Sequence, residues 1–459
     1  MDKQRVCEHI VRDEQGELWI EGCRAADLAA TYGTPLYVTS ESQIRQNYRR
    51  IQAAFAAEYP NTQLLCAMKA NNNLAVRRIL SDEGAGGEAF GAGELIALLD
   101  SGANPRKCVL NGAYKEDLEL HKAIECGVRI NADSEKELRD IERVARELGK
   151  TAEVRLRLRL QVPEFDEIPA QAGGRTISER FANSKFGLSP VQALKCAEYI
   201  KGSAEMEFKG YSFHLGRQSL DVRHFAYVMR EIIAVADLIY RKLGLVAEVI
   251  NIGGGLPSSP RDPEGHGTSG PVPPVEDYAV AIAGAIREGL AKGFLVKEPV
   301  LELEPGRSVV GCATVLLTKV MVHKENLGHH WLVVNCGGNQ VSRIDSARFY
   351  YQTIKASHET DASDSQPIIA DVCGNLCSAD FISRETPVLD PKEGDLLAVL
   401  DTGMYAETTA SQFNGRPRPA TVLVHEKESV VIKRRESFSD VFATQCVPAR
   451  YEKMCDAQK

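Results

Sequence analysis

Between about residue 60 and residue 305, eight short apolar runs alternate with helix-like segments, and most of the runs close on a polar residue or a glycine. They are Leu64 to Lys69, Gly87 to Phe90, Cys108 to Asn111, Val128 to Asp133, Val154 to Leu160, Tyr211 to His214, Val249 to Gly253 and Val300 to Glu304. Such alternation predicts a parallel sheet wrapped by helices, and eight is the number of strands that closes an α/β (TIM) barrel. In that barrel the carboxyl ends of all strands converge on one face, which carries the active site. Lys69, Glu88, Asn111, Asp133, His214, the triplet Gly253-Gly254-Gly255 and Glu304 are therefore expected around one ligand.

The chain has 459 residues, more than one core usually holds, so further structure is expected outside the barrel. Glu17 to Ile20 and Pro35 to Thr39 read as strands, and a helix begins at Ser40 and ends near Tyr59. After the barrel come strands without helices between them: Trp331 to Val334, Pro367 to Val372, Asp395 to Leu400, Thr421 to His425 and Ser429 to Lys433. This pattern predicts an antiparallel β domain. The expected division is 1–45 and 311–459 in the β domain, with 46–310 in the barrel. Two irregular segments, 161–184 and 257–275, leave the active-site ends of strands five and seven and read as lids or insertions.

Composition excludes several classes. No apolar run approaches the length that crosses a bilayer, and the amino terminus has no secretory core. A formal charge of -8, spread along the chain, gives no reason to expect nucleic acid. Twelve cysteines without repeated CxxC spacing point to reduced thiols in the cytoplasm, and neither disulfides nor a metal site is expected.

Lys69 ends a buried strand, where an ammonium is costly unless it is used. Desolvation lowers a lysine pKa, and such a lysine is the usual nucleophile toward carbonyls and pyridoxal phosphate. The bland alternative is a lysine that snorkels past the strand into water. Glu304 is followed by Pro305-Gly306-Arg307, which sets a carboxylate beside a turn and a guanidinium, suited to a protonated heterocycle and a phosphate. Gly254 and Gly255 permit close backbone approach to phosphate oxygens on the neighbouring strand. His214 could stack on a planar ring, and Arg217 could reach an anion. In the fifth run, Arg155, Arg157 and Arg159 share one strand face by the period of two. Glu88, Asp133 or a ligand would partner them, and at least two are expected in an internal salt-bridge layer.

The motifs AMKANNN around Lys69, SKFG at Ser184, FHLG at Phe213, NIGGG ending at Gly255, EPGR from Glu304, GNLCSAD around Cys377, DTGMY ending at Tyr405 and FNGRPRPA from Phe413 run through nearly the whole chain. In this order they resemble the alanine-racemase-fold (fold-type III) pyridoxal-phosphate enzymes, most closely the diaminopimelate and ornithine decarboxylase group. The resemblance implies pyridoxal 5'-phosphate in a Schiff base with Lys69, His214 stacked on its ring, and Glu304 on its pyridine nitrogen. Glu88 would lie at the same cofactor. The phosphate site would use Gly254, Gly255, Gly306, Arg307 and Tyr405. It also implies a homodimer with shared active sites, in which Cys377 reaches the partner's site and guides a proton. A carboxylate at the ring nitrogen favours decarboxylation, whereas the racemases of this fold place an arginine there. A non-catalytic pyridoxal-phosphate barrel would not need Cys377 or the β domain.

Departures from the family pattern bear on the substrate. Ser378 stands where the related enzymes carry an acid after the cysteine, so a cationic distal group would lose its partner. Arg217 replaces a serine near the phosphate, Phe413 replaces a tyrosine, and the arginine of the family's RPALY stretch corresponds to Arg343. With Arg307, Ser378 and Asp380, Arg343 and Phe413 are the expected substrate contacts. These changes predict an α-decarboxylase of an amino acid or amino-acid conjugate with altered specificity, acting in a biosynthetic pathway such as siderophore or antibiotic synthesis. The alternatives are an authentic diaminopimelate decarboxylase making lysine and, behind it, a racemase or a pyridoxal-phosphate-binding protein.

Overall fold

The eight strands lie side by side in chain order: Thr62–Ala67, Gly86–Phe90, Cys108–Asn111, Arg129–Ala132, Ala152–Arg157, Met206–Ser212, Val249–Asn251 and Val300–Leu303. Each pairs in parallel with its neighbours, and the eighth pairs with the first, Leu303 opposite Leu64, so the sheet closes into a barrel. The structure, a computed structural model, describes residues 4–162, 184–216, 219–258, 272–341, 351–356, 366–378, 380–448 and 450. Most of the two segments expected as lids therefore lies outside the described residues. The strands are apolar because helices cover the outside while the inside is filled by side chains, so that Leu64, Leu65, Cys66 and Ala67 are all buried.

Several strands stop short of their predicted ends. The first ends at Ala67, and Lys69 sits in the following 3-10 turn, Met68–Ala70. His214 and Glu304 likewise stand just beyond Ser212 and Leu303. Leaving the ladder frees these residues to line the barrel mouth.

The arginine face of the fifth strand is mostly an internal ion layer. Arg155 is fully buried against Glu302, which also pairs with Arg129. Arg157 lies 3.8 Å from Asp133 and stacks 4.4 Å from the centre of the Phe186 ring. The partner of Arg155 is Glu302 and not the anticipated Glu88, because residues 302 and 304 share the inward face of the eighth strand.

The β domain joins the two ends of the chain. Leu36–Ser40 pairs antiparallel with Thr314–Asn326 and parallel with Ala420–His425. A second parallel pair, His329–Val334 with Ile368–Cys373, makes this otherwise antiparallel sheet mixed. Ile10, Leu18, Leu36 and Val38 share a core with Val315, Leu396 and Val422. The helix Glu41–Glu58 leads to the barrel and is capped by Ser40, whose Oγ accepts from Gln43 N at 3.1 Å. Among the described residues no helix is long and apolar enough to cross a membrane.

Candidate active site

Lys69 is held in place by the residues that follow it. Asn71 Nδ2 donates to Gly403 O at 3.1 Å, and Asn73 Oδ1 accepts from Ala75 N at 3.0 Å, capping the helix Leu74–Asp82. Thr408 Oγ1 donates to Lys69 O at 3.1 Å, and Tyr405 N donates to Ala70 O at 2.7 Å. The asparagines of the AMKANNN motif thus serve the turn: one ties it to the β domain and one starts the next helix.

The Lys69 amine lies 2.6 Å from Glu88 Oε2. Asn111 Nδ2 donates to Glu88 Oε1 at 3.0 Å and to Glu304 Oε1 at 3.1 Å. Asn251 Nδ2 donates to Glu304 Oε1 at 3.0 Å and to Glu302 Oε2 at 3.3 Å. One buried polar chain therefore runs from the Lys69 amine to the ion layer inside the barrel. Burial alone would depress the lysine, but the facing charges of Glu88 and Glu304 outweigh it and hold Lys69 above the ordinary lysine value. The depressed lysine expected from the sequence is thus reversed in this structure, because a strand end cannot reveal which carboxylates the fold brings against it. Burial works against ionisation of Glu88, yet the charge and hydrogen bond of Lys69 keep it below the usual carboxylate range. Glu304 is pushed up to about 7 by burial and by the charge of Glu88.

His214 is drawn down to about 3 by burial and by the charges of Lys69 and Arg157. Its Nδ1 accepts from Gly216 N at 2.9 Å, so the neutral ring carries its proton on Nε2. A Cβ on Gly254 would stand 2.5 Å from Glu304 O and 3.5 Å from His214 Nε2. Gly255, at φ +101°, is in the region that glycine favours. A Cβ on Gly306 would stand 2.8 Å from Ala70 Cβ. Beside them Arg307 stacks 5.2 Å from the centre of the Tyr405 ring.

This donor set fits pyridoxal phosphate. Glu304 Oε1 takes two amide hydrogens, while Oε2 accepts none from the described residues and is available to a ring nitrogen. The flat neutral imidazole, the accessible amine and backbone without room for side chains suit a planar phosphorylated aldehyde.

Cys377 and Ser378 are exposed on the β domain. Cys377 N donates to Asn414 Oδ1 at 3.2 Å, and Arg416 Nη2 donates to Asn375 O at 3.3 Å, so the GNLCSAD and FNGRPRPA motifs form one patch that includes the half-exposed Phe413. Asp380 does not face outward with them. Its Oδ2 accepts from Leu376 N at 3.2 Å and from Gly338 N at 3.4 Å, which shapes the loop that carries Cys377. Arg217 and Arg343 lie outside the described residues. Sequence reasoning missed Asn131, Asn251 and Glu302. The asparagine that begins NIGGG and the spacing of two between Glu302 and Glu304 were the available signals.

Residues 41–311 match the pyridoxal binding domain of the pyridoxal-dependent decarboxylases. The chain is 35% identical over 441 residues to the diaminopimelate decarboxylase of Methanothermobacter thermautotrophicus, covering 95% of this chain and 97% of that protein. It is 33% identical to that of Archaeoglobus fulgidus over 94% of this chain and 98% of that protein. The crystal structure of the M. jannaschii diaminopimelate decarboxylase in complex with L-lysine superposes with a TM-score of 0.88 at 30% identity, covering 97% of this chain and 100% of that one. These full-length likenesses correct the altered specificity inferred from Ser378. That inference assumed that the position after Cys377 alone pairs a cationic distal group, and one residue of a short motif does not outweigh a likeness along almost the whole chain. The chain binds pyridoxal phosphate, is a carboxy-lyase acting on an amino acid, and belongs to the fold-type III pyridoxal-dependent decarboxylases of the diaminopimelate and ornithine decarboxylase group.

Proposed function

We propose that this enzyme is a diaminopimelate decarboxylase, which removes one α-carboxylate of diaminopimelate as CO2 and yields lysine. The observation that carries the reaction type is Glu304, a buried carboxylate with one oxygen tied by Asn111 and Asn251 and the other accepting no hydrogen bond from the described residues. The likeness to diaminopimelate decarboxylases along almost their whole length supports the substrate.

When bound, pyridoxal phosphate supplies the electron sink that accepts the pair released with CO2. Lys69 Nζ is the amine that attaches it, and Glu88 Oε2 takes up or returns the proton of that amine. Glu304 would hold the cofactor's ring nitrogen protonated, which would favour decarboxylation over racemisation. The neutral His214 ring would hold the cofactor ring without adding charge. Gly254, Gly255 and Gly306 with Arg307 and Tyr405 would receive the phosphate.

The proposal includes a homodimer in which Cys377 of one subunit enters the other's site and delivers a proton to the substrate α-carbon, with Ser378 and Phe413 beside the substrate. The exposed cysteine patch supports it. It also includes a cytoplasmic location, and domain boundaries near 46 and 311.

The test is CO2 and lysine formation by the purified protein loaded with pyridoxal phosphate. Diaminopimelate should be preferred over ornithine and lysine by about a hundredfold or more in kcat/KM. No CO2 from diaminopimelate, with turnover of another amino acid, would overturn the assignment.

A further inference from the structure

Asn111, the last residue of the third barrel strand, joins the two carboxylates that flank the Lys69 amine. One Nδ2 hydrogen goes to Glu88 Oε1 at 3.0 Å and the other to Glu304 Oε1 at 3.1 Å. Its orientation is fixed from behind, since Oδ1 accepts from Asn131 Nδ2 at 2.6 Å. Asn131 is itself almost wholly buried, and its Oδ1 has no hydrogen-bond partner. A buried unsatisfied oxygen calls for an explanation. Turning the Asn131 amide over would set that oxygen against Asn111 Oδ1, and turning both would aim an oxygen at two carboxylates. The unsatisfied atom therefore follows from holding the Asn111 amide with its N–H groups toward the site.

We propose that Asn111 is a positioning residue for the cofactor: its single amide keeps Glu88 on the Lys69 amine and Glu304 on the cofactor's ring nitrogen, and makes their two negative charges compatible in one buried site. This rests on the reading of the barrel mouth as the pyridoxal-phosphate site. The charged groups facing Glu304 are Glu88, Lys69, Arg157 and Arg155, with Glu302 behind Asn251 and the neutral His214 alongside. Among the described residues only the amides of Asn111 and Asn251 donate directly to Glu304, so removing one should make Glu304 retain its proton to higher pH.

The experiment is titration of the purified cofactor-free chain with pyridoxal phosphate, followed by absorbance, between about pH 6 and about pH 9. Asn111→Leu, close in size but without donors, should bind about tenfold more weakly and move the pH midpoint of binding up by about one unit, the effect of one lost charged hydrogen bond. Asn131→Leu, which frees the amide to rotate, should move the midpoint in the same direction by less. An unmoved midpoint in a folded Asn111→Leu chain would overturn the inference even if affinity and melting temperature fell, because packing loss is indifferent to pH. If Asn111→Leu does not fold, an unmoved midpoint in Asn131→Leu decides against it equally. Failure of the native chain to take up pyridoxal phosphate on Lys69 would instead remove the reading of the site itself.

Discussion

The Lys69 amine meets Glu88 Oε2 at 2.6 Å, and the two differ in access: the lysine side chain keeps 32% of its surface while that of Glu88 is wholly buried. A partly exposed lysine on a wholly buried carboxylate is the geometry of a nucleophile with its own proton acceptor. The same carboxylate raises Glu304, so the charge that serves the lysine also governs the group expected at the ring nitrogen.

The first prediction concerns stability against pH in the cofactor-free protein. Glu304 stands at about 7 in the folded chain against an ordinary 4.5, so between those values the folded state binds the extra proton. The contribution of Glu304 to stability should therefore fall as pH rises through that window and stay low above it, while His214, drawn down to about 3, contributes the opposite slope up to its ordinary value. Glu304→Gln removes that contribution and should stabilise the protein at pH 8 by up to about 3 kcal/mol, measured by urea unfolding of the variant against the native chain. Glu88 has the opposite sign: its contribution is present above its ordinary value and is lost as acid protonates it. A Glu304→Gln protein no more stable than the native one at pH 8 would count against the assigned ionisation.

A second prediction follows from the crowding at Gly254. An added Cβ would stand 2.5 Å from the Glu304 carbonyl oxygen, so the strand end must move and carry the carboxylate with it. Gly254→Ala should weaken pyridoxal-phosphate binding by about tenfold or more, or ~1.4 kcal/mol. Fluorescence titration measures this, and unchanged affinity would show that the glycine is not part of the cradle.

The third prediction tests the shared active site. Lys69→Ala and Cys377→Ala should each be nearly inactive alone. After co-refolding in equal amounts, half the dimers are hybrids with one intact site, which returns about a quarter of native activity in a symmetric two-fold assembly. No recovery in a mixture that demonstrably contains hybrids would mean that Lys69 and Cys377 act within one chain.

Much of the fold was legible because it is written in short-range pattern. Eight apolar runs with helices between them specify a parallel barrel, and Ser40 announces its helix by the hydrogen bond that its side chain can make. The parallel pairing of Leu36–Ser40 with Ala420–His425 was not legible, since strands nearly four hundred residues apart share no local signal. The specificity reading drawn from Ser378 failed because it weighed one missing charge in a short motif, whereas the likeness to diaminopimelate decarboxylases runs along almost the whole chain.

The sequence by itself determined which chemical groups stand at the strand ends, because strand period and turn chemistry act over a few residues: Lys69, His214, Gly255 and Glu304 could be named before any coordinates. Only the tertiary structure decided their states. The ionisation of Lys69, Glu88 and Glu304 depends on burial and on neighbours drawn from different strands, and closing the barrel brings Asn111 and Asn251 to the same carboxylate oxygen. Charges in a buried site are set by distance in space, which separation along the chain does not encode.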